Sequence, residues 1–137
     1  AFQTQKKLFL IMDYFQRGDL NRALNIEGRF TEDRARIYFC EILLIIEYLH
    51  AKNILFRDTK PENFLVDETG HLVMTDFGLA KDLGPETSSG TFCGSVAYLA
   101  PEMLIDRQHG KPLDWYLLGL LLYEMMTGII PFYSKNR

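Results

Sequence analysis

The chain has no excess of positive charge: 15 Lys and Arg stand against 18 Asp and Glu, a formal net charge of −3 over 137 residues. A protein that holds nucleic acid through bulk electrostatics needs the opposite balance, so nucleic acid is excluded as a partner. Cysteine is scarce. Cys40 and Cys93 have no metal-ligand spacing and are too few for a disulfide framework, which points to a reducing intracellular compartment with the cytoplasm as the expected address. His50, His71 and His109 are scattered among loop-like surroundings and read as ordinary side chains, not as a zinc cluster. Long apolar runs are also missing. The longest, Leu113 to Tyr123, contains Asp114 and stops at Glu124, short of the roughly 18 to 20 apolar residues a membrane span requires. The apolar run after Lys6 and Lys7 ends at Asp13 without a small-residue cleavage site, so it does not read as a secretory signal. No internal repeat is visible.

What is present is a composition able to bury a core, 47% hydrophobic and 24% charged. One domain is the default at this length, or a piece of something larger, as the opening Ala1 suggests. Leu8 to Tyr14 is predicted as a short, mostly buried strand leading into a loop at Gln16 to Asp19. Thr31 followed by Glu32 and Asp33 marks a helix start. Ala35, Tyr38, Phe39, Ile42, Ile45, Ile46 and Leu49 then recur at spacings of three and four, predicting a long core-packed helix ending near Lys52-Asn53. Phe64 to Asp67 and His71 to Met74 read as a hairpin, Gly84 to Gly90 as an ordered or switchable loop, and Leu113 to Met126 as a helix buried on most sides.

Between the long helix and the hairpin lies F-R-D-T-K-P-E-N, with Asp58, Lys60 and Asn63 on a loop that Pro61 keeps from continuing as helix. After the hairpin comes D-F-G, with Asp76. Asp76 and Asn63 offer the hard oxygen ligands that Mg²⁺ prefers beside phosphate oxygens and water. Asp58 can orient an attacking hydroxyl and accept its proton, and Lys60 can place positive charge against a phosphoryl group. Each piece alone has a bland reading as a solvated turn, a strand exit or a loop before a helix. Together, R-D-x-K-x-x-N, D-F-G and A-P-E specify ten residues in order, a chance match below about one in a million at roughly one in twenty per position.

In these motifs the sequence resembles the eukaryotic protein kinases, in order across all 137 residues. K-P-E-N after Asp58, T-F-C-G-S at Thr91 to Ser95 and D-W-Y-L-L-G at Asp114 to Gly119 resemble more narrowly the AGC class of serine/threonine kinases. The resemblance implies an α+β, protein kinase-like fold. Residues 1–14 would be the last strand of the small lobe and the hinge, and 15–137 the mainly helical large lobe, truncated after the buried central helix. It implies ATP and Mg²⁺ as cofactors and protein or peptide substrates near basic residues. Asp58 and Lys60 would be catalytic, and Asn63 and Asp76 metal ligands. Met12 as gatekeeper, Asp13 and Phe15 in the hinge, Asp19 near the ribose, Leu65 as adenine floor and Thr75 would form the ATP site. Glu62 and Glu124 would receive substrate arginine. Thr91 would be the activation-loop phosphosite, served by Arg57 and an upstream kinase, while Phe56 and Phe77 stack in a hydrophobic spine anchored by Asp114.

The sequence also departs from the family. Phe56 replaces a histidine or tyrosine, Thr59 a leucine, Ser95 a threonine that braces the catalytic loop, and Ala97 a glutamate. No glycine-rich phosphate loop or V-A-x-K lysine lies within these residues, and the arginine expected to pair with Glu102 is absent too. The expected molecule is therefore an incomplete kinase domain, inactive as this piece alone. The alternatives are a catalytically silent kinase-like binding module and a small standalone α+β protein.

Overall fold

Thr31 opens the longest element. Its hydroxyl accepts the amide of Arg34 at 3.4 Å, and Glu32 and Asp33 occupy the positive end of the dipole of helix α2, Glu32–Ala51. One stripe of α2, including Ala35, Tyr38, Ile42, Ile46 and Leu49, is buried and packs against helix α4, Lys111–Thr127. α4 starts on Pro112 in its first turn, where no amide donor is needed, and ends at Gly128 with φ +77°. Leu118, Leu121 and Met125 of α4 meet Ile42 and Ile46 of α2 in the main core. The computed structural model describes residues 1–86, 88–90, 93–105 and 108–132.

Strands β4 (Phe64–Val66) and β5 (Leu72–Met74) form the expected hairpin, with Leu65 opposite Val73. Asp67 closes it by accepting the amides of Thr69 and His71, each at 2.9 Å. Glu41 of α2 grips the same turn, accepting from Leu72 N at 2.8 Å and meeting His71 Nδ1 at 2.5 Å. A second pairing joins β3 (Ile54–Leu55) to β6 (Lys81–Asp82), so the two chain segments flanking the hairpin run together at its base. The short helix α3 is Pro101–Ile105.

Two expectations are corrected. The Leu8 to Tyr14 strand is not mostly buried: β2 is only Leu8–Phe9, paired with β1 (Phe2–Gln3), and Ile11 and Met12 are 76% and 77% exposed. Within the ribbon the Phe2 and Phe9 rings stack, centroids 4.7 Å apart, while Leu8, Leu10 and Tyr14 also stay exposed. The loop at Gln16 to Asp19 is present, and it leads into a helix that the periodicity did not single out. Asp19 caps helix α1, Leu20–Glu27, by accepting from Arg22 N at 2.7 Å, and Leu20 and Leu24 enter the core four residues apart. The histidines are not all in loop-like surroundings, since His50 lies in the last turn of α2 and both His50 and His109 are buried. Among the described residues no helix is long and apolar enough to cross a membrane, and no group of three or more His, Cys, Asp or Glu could hold a metal ion.

Candidate active site

The loop from Phe56 to Asn63 is irregular yet largely buried, and so its polar backbone needs internal partners. Asp114, in the first turn of α4 and wholly buried, supplies them. Its carboxylate accepts the amide of Arg57 at 2.7 Å and of Phe56 at 3.0 Å, and meets His50 Nε2 at 2.7 Å. This three-donor anchor holds Arg57 in the left-handed region, φ +68°, a conformation that a non-glycine residue keeps only when its surroundings over-determine it. The turned backbone throws successive side chains to different sides. Phe56 packs edge-on against Phe77, with ring centroids 5.7 Å apart, while Asp58 lies on the side of Lys60 and Asn63.

Asp58 is the centre of that group. Its Oδ2 accepts from Asn63 Nδ2 at 2.8 Å and from Lys60 Nζ at 2.7 Å, and Asn63 Nδ2 also reaches the Asp58 carbonyl at 2.7 Å. Lys60 Nζ donates to Ser95 Oγ at 3.3 Å, so the smaller hydroxyl still ties the loop to the segment before α3. The hairpin carries the remaining member. Thr75 N donates to the Asn63 carbonyl at 2.9 Å, bringing the far end of β5 back to the loop and placing Asp76 beside it. Asp76 is also left-handed, φ +58°, and its Oδ1 accepts the Gly78 amide at 3.0 Å.

Lys60, Glu62, Asn63, Thr75, Asp76 and Glu124 share the wall of one open cleft of about 620 Å³. Glu124 accepts a short hydrogen bond from the hydroxyl of Tyr98, which α3's lead-in brings over α4. Burial and the nearby Glu62 carboxylate push the Glu124 pKa above the usual carboxylate range, against the opposing pull of the Tyr98 bond. Burial first, then the Glu124 bond, raises the Tyr98 hydroxyl well above a free phenol.

A hard cation would find oxygen donors here. Asn63 spends its amide nitrogen on Asp58, leaving Oδ1 as its ligand atom, and Asp76 keeps one carboxylate oxygen beyond its bond to Gly78. Two protein oxygens on a cleft wall fit Mg²⁺, which keeps water and phosphate oxygens in its shell, better than a closed site built from protein alone.

Other expected site residues fall elsewhere. Met12 and Asp13 lie in the exposed lead-in and Phe15 is half-buried at its end, apart from the cleft wall. Asp19 caps α1 and forms an isolated antiparallel bridge with Leu65, bringing those two positions together. Arg57 is buried beside Leu79, Ser89 and His109. Thr91 lies outside the described residues. Sequence reasoning missed Tyr98 as the partner of Glu124 and His50 as a third donor to Asp114. The signal for His50 was its place at the end of the apolar stripe of α2, four residues after Ile46.

Comparison with known proteins agrees with this geometry. The protein kinase domain family matches residues 1–137. "Protein kinase 2" of Dictyostelium discoideum is 49% identical over 136 residues, 99% of this chain and 28% of the relative. The "RAC family serine/threonine-protein kinase homolog" of the same organism is 49% identical over 138 residues, 99% of this chain and 31% of the relative. Human "Serine/threonine-protein kinase Sgk2" is 49% identical over 137 residues, 99% of this chain and 37% of the relative. The chain thus spans about a third of the length of the curated relatives it matches. With its loop, D-F-G and A-P-E elements placed as above, the chain belongs to the protein kinase domain family, in its AGC class of serine/threonine kinases.

Proposed function

We propose that the intact domain transfers the γ-phosphoryl of Mg·ATP to a serine or threonine hydroxyl of protein substrates, near basic residues. The observation that carries this is the Asp58 carboxylate, held by Lys60 at 2.7 Å and Asn63 at 2.8 Å beside the open cleft. Asp58 orients the acceptor hydroxyl and takes its proton, and Asn63 keeps the carboxylate from rotating away. Lys60 supplies a fixed positive charge as negative charge redistributes over the transferring group. Asn63 Oδ1 and Asp76 would hold Mg²⁺, which when bound neutralises phosphate charge. Met12, Asp13, Phe15, Asp19, Leu65 and Thr75 are assigned to ATP, and Glu62 and Glu124 to a basic substrate side chain. In this reading 1–14 are the last strand of the small lobe and the hinge, and 15–137 belong to the large lobe. Thr91 is the activation-loop phosphosite, Arg57 its reader, an upstream kinase its modifier, and the setting intracellular.

The test is transfer of labelled γ-phosphate to an arginine-containing serine peptide by the full-length kinase and by its Asp58→Asn variant. Wild-type transfer, with a loss of about 10² to 10⁴-fold in the variant, supports the assignment. Magnesium-dependent nucleotide binding without transfer in either protein favours the silent binding module instead. The 137 residues alone contain no glycine-rich loop and no V-A-x-K lysine, and this piece is expected to transfer nothing.

A further inference from the structure

Arg57 is 6% exposed, and three of its five N–H donors are committed. Nε donates to the Leu79 carbonyl at 2.8 Å, while Nη1 faces Ser89 Oγ at 3.2 Å and His109 Nε2 at 3.5 Å. The three acceptors stand on three segments: the turn after Asp76, the loop 84–90 and the lead-in to α4. Ser89 and His109 are themselves joined as an antiparallel bridge, amide to carbonyl in both directions, at 2.8 and 2.9 Å. Among the described residues no acceptor meets Nη2 of Arg57.

His109 carries the more telling chemistry. A guanidinium only donates, so Nε2 of His109 must be the bare, accepting nitrogen and the ring proton sits on Nδ1. That Nδ1 is buried without a partner among the described residues. A buried N–H is costly to leave unpaired, so an arrangement that keeps it so is held by the contact on the opposite side of the ring. We propose that His109, with Ser89, is a positioning residue that aims the Arg57 guanidinium and presents Nη2 to the phosphate assigned to Thr91. The inference rests on that phosphosite reading and adds to it the side chains that pre-orient the reader. Holding a guanidinium at Nε and Nη1 removes its swing before an anion arrives, so less freedom is lost on pairing.

The charged groups around the ring act in both directions. Burial and Arg57 hold the His109 pKa below that of ordinary histidine, and Asp114 and Glu102 pull the other way without reversing it. The ring is a neutral acceptor at pH 7. Protonation would set an N–H on Nε2 against the N–H of Arg57 and add a like charge.

The experiment uses full-length kinase, phosphorylated at Thr91 or carrying Thr91→Ala, with peptide turnover measured for His109→Ala, His109→Gln and Ser89→Ala. The expected result is that His109→Ala cuts the activation produced by phosphorylation on the order of fivefold, in kcat with peptide KM unchanged. His109→Gln, which keeps a neutral acceptor, retains it. In the Thr91→Ala background His109→Ala adds no loss. As pH falls from about 7.5 to about 5.5, activation declines more in wild type than in His109→Gln. Equal losses in His109→Ala and His109→Gln, or an equal loss with and without the phosphate, would overturn the proposal and make His109 a packing residue. Should His109→Ala fail to fold by thermal melt, Ser89→Ala decides by the same comparison, and full activation in it overturns the proposal. If phosphorylation of wild type changes nothing, the phosphosite reading fails first, a result separable from the others because no variant is needed to see it, and the positioning role falls with it.

Discussion

The loop from Phe56 to Asn63 and the amino-terminal ribbon invert what their sequences suggest. Phe56 to Asn63 contains Arg, Asp, Lys, Glu and Asn, yet most of it is buried. Phe2 to Tyr14 is rich in Phe, Leu, Ile and Met, yet all of it is exposed. The difference lies in partners. The loop has one buried carboxylate that satisfies its backbone and several polar side chains that satisfy one another, so water can be excluded without stranding donors. The ribbon pairs two residues with two, and its apolar side chains meet no comparable packing surface. Burial here follows from what a segment is packed against, not from its own hydropathy.

The most disruptive way to break the contrast is to remove the anchor. Asp114→Ala strands the amides of Phe56 and Arg57 and the ring of His50 in a site with no solvent access. A loss of about 3–5 kcal/mol is expected, read as a lowered urea midpoint. Asp114→Asn, which keeps one acceptor oxygen, should fall between the two. A loss below about 1 kcal/mol for Asp114→Ala would mean that the loop is held by its apolar contacts.

Thr59 sharpens the comparison from the other side. It is fully buried and its Oγ1 has no partner among the described residues, an exception within a loop whose backbone and carboxylate are held by several hydrogen bonds. Thr59→Val keeps the shape and removes the orphan hydroxyl. Stability should rise by about 1 kcal/mol in the same denaturation experiment. Destabilisation would show that the hydroxyl has a partner.

His71 and His109 divide in the same manner, one exposed and one buried, and their pH signs are opposite. The Glu41 hydrogen bond and charge raise the pKa of the exposed His71. Its contribution is therefore full below the unfolded histidine pKa and is lost as pH rises through the raised folded value. Burial, aided by Arg57, lowers the pKa of His109. As pH falls below the ordinary histidine value, the unfolded chain takes up a proton that the folded one resists, and stability drops. Thermal melts between about pH 5 and about pH 8 should show the acid-side loss reduced in His109→Gln and the alkaline-side loss reduced in Glu41→Gln. Unchanged profiles in both variants would remove the histidines from the pH response. Salt should weaken only the exposed pair.

What could be read before any coordinates was whatever local spacing encodes. Thr31 with two acids marked the start of α2, the apolar stripe from Ala35 to Leu49 marked its buried face, and Glu68-Thr69-Gly70 marked the hairpin turn. The motif residues Asp58, Lys60, Asn63 and Asp76 were named from order alone; the fold places Lys60, Asn63 and Asp76 on one cleft wall and Asp58 directly behind it, bonded to Lys60 and Asn63. Helix α1 was legible in principle, from Asp19 as cap and Leu20 with Leu24, but Gly18 drew attention to the turn. The pairing of β3 with β6, the Tyr98 to Glu124 bond and the cluster of Arg57, Ser89 and His109 join residues 20 to 52 positions apart. No periodicity reports such contacts. The exposure of Ile11 and Met12 was illegible for the same reason, because an apolar run carries no record of whether anything covers it.

The smallest expected effect belongs to that ribbon. Ile11 is 76% exposed and outside any strand ladder, so Ile11→Ser removes little surface that folding had taken from water. Its cost to the stability of the 137 residues should stay within about 0.5 kcal/mol, although the same change at Ile42 or Ile46 in the core would cost several times more. Measured side by side by urea unfolding, the pair tests whether the ribbon's hydrophobicity serves this unit at all. A cost at Ile11 comparable to that at Ile42 would show that the ribbon is packed in solution. In that case the contrast with the loop from Phe56 to Asn63 would be one of degree.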